Sequence, residues 1–235
     1  IKIMADNTVK VHGVILSPPV RSVLIFCQLH NIPFEFLDVD MAHGAHKSPE
    51  FLAINPYGLV PAITHGDFHL GESGAIVYYL AEAFHINSQW LPADIQQKAK
   101  INSSLHWHHT NTVKNIIPYT YNKVIGPMFL GKPPVTPEFE AELIANARTF
   151  LKSLDDLFAT GVYIARTAHP THADILLYCF VTHLELVSFD YSAYPALNRW
   201  RDELGAIEAV REVHEPFRQM AAKIAQKFQA PEPSA

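Results

Sequence analysis

The sequence predicts an α/β N-terminal part followed by an all-α C-terminal part. Before about residue 90, short runs typical of β-strands alternate with helical runs, and after it the pattern is nearly all helical. The N-terminal elements follow the order βαβ and then ββα. We therefore predict one domain over residues 8–85, a linker over 86–94, a helical domain over 95–228 and a disordered tail over 229–235.

Proline, glycine and apolar alternation delimit the N-terminal elements. Pro19 opens the first helix, where its missing N–H costs no hydrogen bond, and the stretch 31–33 ends it. Residues 65–67 have the composition of a hairpin turn. The predicted elements are a strand at 9–15, a helix at 19–30, a strand at 34–38, a short helix at 49–54, strands at 62–64 and 68–70, and a helix at 72–84.

The C-terminal part is predicted to be a series of helices. A long helix over 95–124 is expected to bend at Pro118, since proline interrupts the backbone hydrogen bonding. Thr171 and Asp174 form a capping-box pattern before an apolar run, which indicates the start of a buried helix. Three further helices are predicted at 137–158, 195–204 and 207–228.

Composition and charge exclude several classes of function. The chain has 235 residues, of which 49% are hydrophobic, and a formal net charge of −5. This charge argues against nucleic-acid and anionic-membrane partners. No apolar stretch approaches the roughly 20 residues that span a bilayer, and the N-terminus is too polar for a secretory signal. The sequence does not begin with Met, so Ile1–Ile3 are either additional residues or a truncated start, with Met4 as the expected natural start.

The cysteines favour a cytoplasmic protein. Cys27 and Cys179 are the two cysteines of the sequence, and both lie within apolar helical runs. Two such residues do not make a disulfide framework, and they suit a reducing compartment. We predict that both are small buried hydrophobic side chains.

The stretch VILSPPVRSVLIF places Ser17 between an apolar strand and a helix. A serine at such a junction is either an ordinary helix cap or a catalytic hydroxyl. Arg21 follows four residues later. The stretch alone leaves both interpretations of the serine open.

Three further motifs could hold a peptide-like ligand. In NPYGLVPAI, a cis Pro61 would expose the backbone groups of Val60. In GESGAIVYYLAE, Glu72 and Ser73 lie at a helix N-terminus, which attracts a carboxylate while Glu72 can accept from an ammonium group. In GAHKSPEF, His46 and Lys47 could bind a second carboxylate. Each motif alone also has an ordinary structural interpretation.

Taken in order, these motifs resemble the cytosolic glutathione S-transferases, most closely the serine-type theta and phi classes. The resemblance covers residues 9–220. Its strings are LSPPVR, GAHKSPEF, INPYGLVPAI, HGDFHL and ESGAIVYYLAE in the first half, and LHWHHTNTVK, YNKVIGPMFLGKPPV and THADILLY in the second. It implies a thioredoxin-like N-terminal domain, a helical C-terminal domain and conjugation of the glutathione thiol to a small hydrophobic electrophile.

The resemblance also implies roles for individual residues. Ser17 would donate a hydrogen bond to the sulfur, which favours the thiolate over a thiol of pKa about 8.5. Glutathione would be a co-substrate with no other cofactor, in a homodimer. The implied glutathione-binding residues are His46, Lys47, Val60, Pro61, Glu72 and Ser73, and the implied electrophile-site residues are Trp107, His108, Asn111, Ile116 and Tyr119, with the loop after the first strand.

The sequence departs from the theta-like pattern at several places. Pro18 removes a backbone N–H near the sulfur, and Leu59 and Val113 stand where theta-like sequences often have basic residues. The chain ends soon after the last predicted helix, so we expect no C-terminal lid and a more open electrophile site.

Other functions remain as alternatives. A non-catalytic module resembling the N-terminal part of elongation factor 1B gamma would keep the fold and part of the ligand site. A glutaredoxin-like or dehydroascorbate reductase activity needs a cysteine at the head of the first helix, and Cys27 lies too far along it. Peroxidase activity on organic hydroperoxides would be a side reaction of a transferase. His106 and His109 have a metal-compatible spacing but no accompanying ligand, so we predict no metal.

Overall fold

The computed structural model describes residues 7–229, which form a four-stranded sheet with helices followed by a helical half. The expected start at Met4 and residues 230–235 of the predicted tail lie outside this range. Gln229, the first residue of that predicted tail, instead ends the last helix.

The strand order of the sheet is β2-β1-β3-β4. β1 is parallel to β2 and antiparallel to β3, and β3 is antiparallel to β4. The elements are β1 Val9–Gly13, α1 Pro18–Leu29, β2 Phe34–Asp38, a 3₁₀ turn Ala45–Lys47, α2 Pro49–Ile54, β3 Ala62–His65, β4 Phe68–Gly71 and α3 Ser73–Ala83.

The strand predicted at 9–15 is shorter in the structure and ends at Gly13. The carbonyl of Gly13 accepts from the N–H of Val39 at 2.8 Å, which completes the pairing with β2. The chain then turns, because Ser17 N–H donates to the carbonyl of Val14 at 2.9 Å. The apolar character of residues 14–16 therefore serves packing rather than strand pairing.

Helix α1 lies at the centre of the molecule. Most of its side chains are buried, including Phe26 and Cys27, which are fully inaccessible. One side of the helix packs on α3 and β1. A helix with apolar residues on nearly all sides must be covered on all sides, and the helical half supplies the rest of that cover.

The helical half begins with the long helix α4. The elements are α4 Ile95–Thr120, a π-helical segment Tyr121–Ile125, α5 Gly126–Phe129, α6 Pro137–Ala159, α7 His172–Val181, a 3₁₀ segment Thr182–Val187, α8 Pro195–Gly205 and α9 Glu208–Gln229. Helix α4 lies between α6 and α7, while α7 and α9 pack on α1.

The long helix changes its winding after Pro118. We predicted α-helix to residue 124, and the structure has α-helix to Thr120 followed by π-helix. Pro118 lacks an N–H, so the regular hydrogen bonding is interrupted one turn earlier, and the side chain of Asn122 donates to the Pro118 carbonyl at 2.7 Å.

The predicted capping box marks the start of α7. The backbone N–H of Thr171 donates to Asp174 Oδ2 at 2.8 Å, so the carboxylate reaches back to the cap residue. Asp174 also accepts from the N–H of Ile164 at 3.0 Å and from Trp200 Nε1 at 3.3 Å. This carboxylate therefore joins α7 to the preceding loop and to α8.

Candidate functional site

The sheet topology brings four chain segments to one edge. β1, β2 and β4 run in the same direction and β3 runs opposite, so the C-terminal ends of three strands meet the N-terminal end of β3. We call this end of the sheet, where the strands begin or terminate, the ligand edge. It is adjoined by Ser17 after β1, His46 and Lys47 after β2, Val60 and Pro61 before β3, and Glu72 and Ser73 after β4.

Ser17 is the residue before α1 and is partly buried. Pro18 and Pro19 occupy the first two helical positions, so two of the four free N–H groups at the start of the helix are missing, including the one at the second position that a capping hydroxyl can bind. Ser17 makes no side-chain capping hydrogen bond. Its hydroxyl is therefore not committed to the helix and can donate to a ligand atom.

The turn before β3 presents Val60 through a cis peptide bond to Pro61. Asn55 is buried and supports this turn: its Nδ2 donates to the carbonyl of Leu59 at 2.7 Å, and its Oδ1 accepts from the N–H of Tyr57 at 3.2 Å. Our sequence reasoning did not single out Asn55. An asparagine immediately before a proline is a turn signal that could have identified it.

Lys47 is attached to the same turn. Its Nζ donates to the carbonyl of Gly58 at 2.9 Å. Gly58 has φ of 58°, and a Cβ there would lie 2.7 Å from Lys47 Nζ, so glycine is required for this approach. The lysine is exposed and an ammonium carries three donors, so it retains the capacity to bind an anion.

His46 has a different character from its neighbour. Its Nδ1 is buried without a hydrogen-bond partner among residues 7–229. Burial, and to a smaller extent the charge of Lys47, lower the pKa of His46 below its usual value. The ring is thus neutral near pH 7 and can contribute a hydrogen bond rather than a charge.

Glu72 and Ser73 begin α3 with unusual backbone geometry. The helix was predicted to include Glu72, but Glu72 has φ of 66° and ψ of 111° and lies just before the first helical residue, Ser73. A non-glycine residue in this region costs roughly 1–3 kcal/mol, and such residues cluster at ligand sites. The Glu72 side chain is exposed and makes no capping hydrogen bond, so its carboxylate is accessible to a ligand.

The five predicted electrophile-site residues do not share one face of α4. His108 is buried, with its ring 4.2 Å from that of Phe180 on α7, and Ile116 is fully inaccessible. Tyr119 is also buried, and its hydroxyl donates to Glu140 on α6 at 3.5 Å.

Trp107 and Asn111 lie on a more exposed part of α4. The ring of Trp107 stacks on Phe150 of α6, with centroids 5.9 Å apart, and borders a cavity of about 590 Å³ between α4, α6 and the loop around Arg166. Asn111 Nδ2 donates to the carbonyl of Trp107 at 2.9 Å. The predicted wall is therefore divided: His108 faces α7, Tyr119 is buried against α6, and Trp107 lies on a more open side of α4, where it also faces α6.

The loop before Ser17 contacts a different part of the helical half. Ile15 and Leu16 pack against a cluster that contains Val124 of the π-helical segment and Phe217 of α9. Our sequence reasoning assigned the loop after the first strand to the electrophile site, but it did not assign Val124 or Phe217. The period of the apolar residues in α9 shows that the helix is amphipathic, but it does not identify which segment covers its apolar face.

The known proteins described next, which have similar sequences and folds, are named glutathione S-transferases. Residues 11–88 match the family "Glutathione S-transferase, N-terminal domain". Human glutathione S-transferase theta-1 is 33% identical over 86% of this chain and 85% of its own length. Arabidopsis thaliana glutathione S-transferase T1 is 37% identical over 76% of this chain and 73% of its own length.

Solved structures agree with these sequence matches. The apo form of human glutathione-S-transferase T1-1 has a TM-score of 0.82 at 31% identity, covering 94% of this chain and 96% of that one. A human theta-class transferase in complex with the glutathione conjugate of 1-menaphthyl sulfate has a TM-score of 0.83 at 29% identity, covering 97% and 93%. The chain belongs to the glutathione S-transferase family.

The family membership confirms the predicted fold and activity. This theta-like glutathione transferase is an enzyme that uses glutathione as a co-substrate with no separate cofactor. The predicted combination of a thioredoxin-like first half and a helical second half is confirmed. The non-catalytic alternative finds no support among these relatives, which are named as transferases.

The cysteines of the transferase are unsuited to redox chemistry. Cys27 and Cys179 are both free and buried, and burial raises the pKa of each thiol to about 12. A thiol that stays protonated at neutral pH is a poor nucleophile. Neither cysteine lies at the head of α1, where a glutaredoxin-like activity would need one.

Metal clusters and membrane-spanning helices are two further features that bear on function. Across residues 7–229, no group of three or more histidine, cysteine or acidic side chains could hold a metal ion. Over the same range, no helix combines the length and apolarity that a membrane crossing requires.

Proposed function

We propose that Ser17 activates the thiol of glutathione by donating a hydrogen bond to its sulfur. The observation that carries this proposal is the uncommitted Ser17 hydroxyl at the same sheet edge as the other predicted glutathione-binding residues. A donor aimed at sulfur stabilises the thiolate relative to the thiol, because only the charged form is a strong acceptor. The positive end of α1 acts in the same direction.

The ligand edge offers complementary groups for the rest of the tripeptide. Glu72 would accept from the γ-glutamyl ammonium, and the N-terminus of α3 with Ser73 would bind the adjacent carboxylate. Val60, presented before Pro61, would pair through its backbone with the cysteinyl amide. Lys47 would bind the glycyl carboxylate by charge and His46 by a neutral hydrogen bond.

The electrophile would lie between the loop after β1 and the helical half. A human theta-class relative binds the glutathione conjugate of 1-menaphthyl sulfate, so an arylmethyl sulfate is a reasonable first substrate class. The thiolate sulfur would attack the carbon that bears the sulfate, a C–S bond would form, and the C–O bond would break to release sulfate. Of the wall residues predicted from sequence, Trp107 and Asn111 have accessible surface and stay in the proposal, whereas His108, Ile116 and Tyr119 are buried and would support the wall from the core.

Ser17→Ala tests the proposal directly. We expect kcat to fall about 10²-fold or more, the scale of a lost activating group, while retention on glutathione-agarose is preserved. Ser22→Ala is the matched control, because Ser22 lies on the same helix but donates to the Pro19 carbonyl at 2.9 Å. Near-normal turnover of Ser17→Ala with isothiocyanates, hydroperoxides, aryl halides and arylmethyl sulfates would eliminate the assignment.

The proposal also includes a cytoplasmic homodimer and two domains. The boundaries proposed are 8–85 and 95–228 with a linker over 86–94. Membership of the transferase family supports the dimer and the two domains. The free cysteines, Cys27 and Cys179, support a reducing compartment. Light scattering of the purified protein would give twice the 26.4 kDa chain mass if it is a dimer.

A further inference from the structure

Arg21 is an arginine without any exposed surface, located one turn after Ser17 on α1. Burying a guanidinium is costly unless its donors are satisfied, so such a residue requires a structural explanation. Burial lowers the pKa of Arg21 to about 10, which leaves it charged at neutral pH. The partners of this buried charge come from two parts of the molecule.

One end of the guanidinium binds the loop that leads to the serine. Nη1 donates to the carbonyl of Ile15 at 2.8 Å and to the carbonyl of Leu16 at 2.9 Å. These are the two residues immediately before Ser17. A single side chain thus fixes the direction of two successive peptide groups at the point where the chain enters α1.

The other donors bind the helical half. Nη2 donates to the carbonyl of Cys179 on α7 at 2.8 Å, and Nε donates to His214 Nε2 on α9 at 3.3 Å. The guanidinium carbon lies 3.7 Å from the centre of the Phe217 ring, also on α9. Within the described residues these partners are carbonyls and aromatic rings, and the carboxylate of Glu185 acts only at longer range.

The loop has few other anchors of this kind. Pro18 and Pro19 have no N–H to hold it, and Ser17 makes no side-chain capping bond. Within residues 7–229, its other support comes from the Val14–Ser17 turn, the helical hydrogen bond from the Arg21 N–H to the Ser17 carbonyl at 3.2 Å, and the apolar packing of Ile15 and Leu16, which does not determine orientation as hydrogen bonds do.

We propose that Arg21 is a positioning residue for Ser17, tying the loop before the serine to α7 and α9. Through this contact, the helical half sets where the activating hydroxyl points. The inference rests on the proposed role of Ser17. It adds that thiol activation depends on a residue that does not contact glutathione.

The experiment is a double-mutant cycle on the pKa of the bound thiol. The thiolate of glutathione is titrated by its ultraviolet absorbance in the binary complex of the wild type, Ser17→Ala, Arg21→Lys and the double variant. Lysine keeps the charge but cannot bind two loop carbonyls and the helical half simultaneously. We expect Arg21→Lys to raise the pKa of the bound thiol by about 1 and to lower kcat about tenfold, with the KM for glutathione within twofold.

In the Ser17→Ala background, Arg21→Lys should produce no further rise in the thiol pKa, because no hydroxyl remains to be positioned. Arg201→Lys is the matched control: Arg201 also lies 3.7 Å over a ring, that of Tyr191, but its guanidinium donates to Asn198 and Glu185 rather than to the loop carbonyls. It should leave the thiol pKa unchanged. If Arg21→Lys does not fold, Phe217→Leu takes its place, with a smaller rise expected.

The outcomes separate the two proposals. An unchanged thiol pKa in Ser17→Ala would overturn the role of Ser17. A raised thiol pKa in Ser17→Ala, with no change in Arg21→Lys or in Phe217→Leu where that variant replaces it, would overturn the inference about Arg21 alone. An equal rise in both Ser17 backgrounds would also overturn it, since the arginine would then act independently of the hydroxyl.

Discussion

The ligand edge and the core of the helical half use polar side chains in opposite ways. At the ligand edge, Ser17 and Glu72 make no capping hydrogen bonds and are partly or fully exposed. In the helical core, Asp174 is fully buried and accepts from the loop, the cap and α8. His172 is equally buried but has no hydrogen-bond partner for either ring nitrogen among residues 7–229.

This difference indicates that the polar groups of the ligand edge serve binding, whereas those of the helical core affect stability. A polar group at the ligand edge that makes no hydrogen bond within the fold can bind a ligand, and the new hydrogen bond then offsets the cost of removing the group from water. A buried polar group must be satisfied within the fold, or it lowers stability. Substitutions in the two regions should therefore affect different measurements.

The largest effect is expected for Asp174→Ala in the helical core. The change leaves the N–H groups of Thr171 and Ile164 without their acceptor, and we expect about 3 kcal/mol less stability in urea unfolding. The KM for glutathione of the folded enzyme should stay within twofold. Asp174→Asn, which keeps one acceptor oxygen, should lose less. A large change in KM would break the proposed separation of the two regions.

The next effect is expected for Glu72→Gln at the ligand edge. If Glu72 binds the ammonium of glutathione as proposed, removing its charge should raise the KM for glutathione about tenfold, the usual scale for a charge-assisted hydrogen bond. Stability should change little, because Glu72 makes no capping bond. Asp67→Asn, an exposed carboxylate in the turn at the opposite edge of the sheet, is the control and should leave KM unchanged.

A smaller effect concerns the pH dependence of stability. Burial lowers the pKa of His172 from 6.5 to about 3. Below pH 6.5 the unfolded chain takes up this proton and the folded chain does not, so stability falls as the pH drops through the window between the two values. His172→Leu should reduce the loss of stability between pH 7.5 and 5.5 by about 1 kcal/mol, measured by urea unfolding at both values.

The exposed His106 provides the control for this comparison. His106→Leu should retain the wild-type dependence of stability on pH. If stability depends on pH equally in the wild type and in His172→Leu, then His172 takes up its proton as readily in the folded protein as in the unfolded chain, and the prediction is wrong.

The smallest effect is expected at Trp107. Its ring stacks on Phe150 and is only 37% exposed, so it can offer an electrophile little surface. Trp107→Leu should change the KM for an aryl electrophile by about threefold and leave the KM for glutathione unchanged. A change above tenfold would show that the open side of α4 facing α6 is the main wall of the electrophile site.

The predictable parts of the molecule follow local rules. Proline positions, the Thr171–Asp174 cap and the apolar alternation set the helix and strand bounds to within one or two residues in most elements. The differences have local causes that the pattern does not reveal: residues 14–16 are apolar but belong to a loop, Glu72 precedes its helix with a positive φ, and the long helix changes to π-helix after Thr120, four residues before its predicted end. The residues of the ligand edge were also predictable, because short motifs carry them.

The contacts that cross the molecule were not predictable in the same way. Nothing in the sequence near Arg21 indicates that it binds the carbonyl of Cys179, 158 residues away, or stacks on Phe217. The division of the predicted electrophile wall has the same origin: helical period places His108 and Trp107 on different sides of α4, but only the neighbouring helices decide which side is closed.

By itself, the sequence determined the order of elements, the motifs at the strand ends and hence the ligand edge, because these depend on near neighbours and on strand direction. The tertiary structure decided which helices cover α1, and through Arg21 how the serine loop is held. Backbone geometry and capping are local interactions, whereas burial and long-range hydrogen bonds depend on which distant segments pack together.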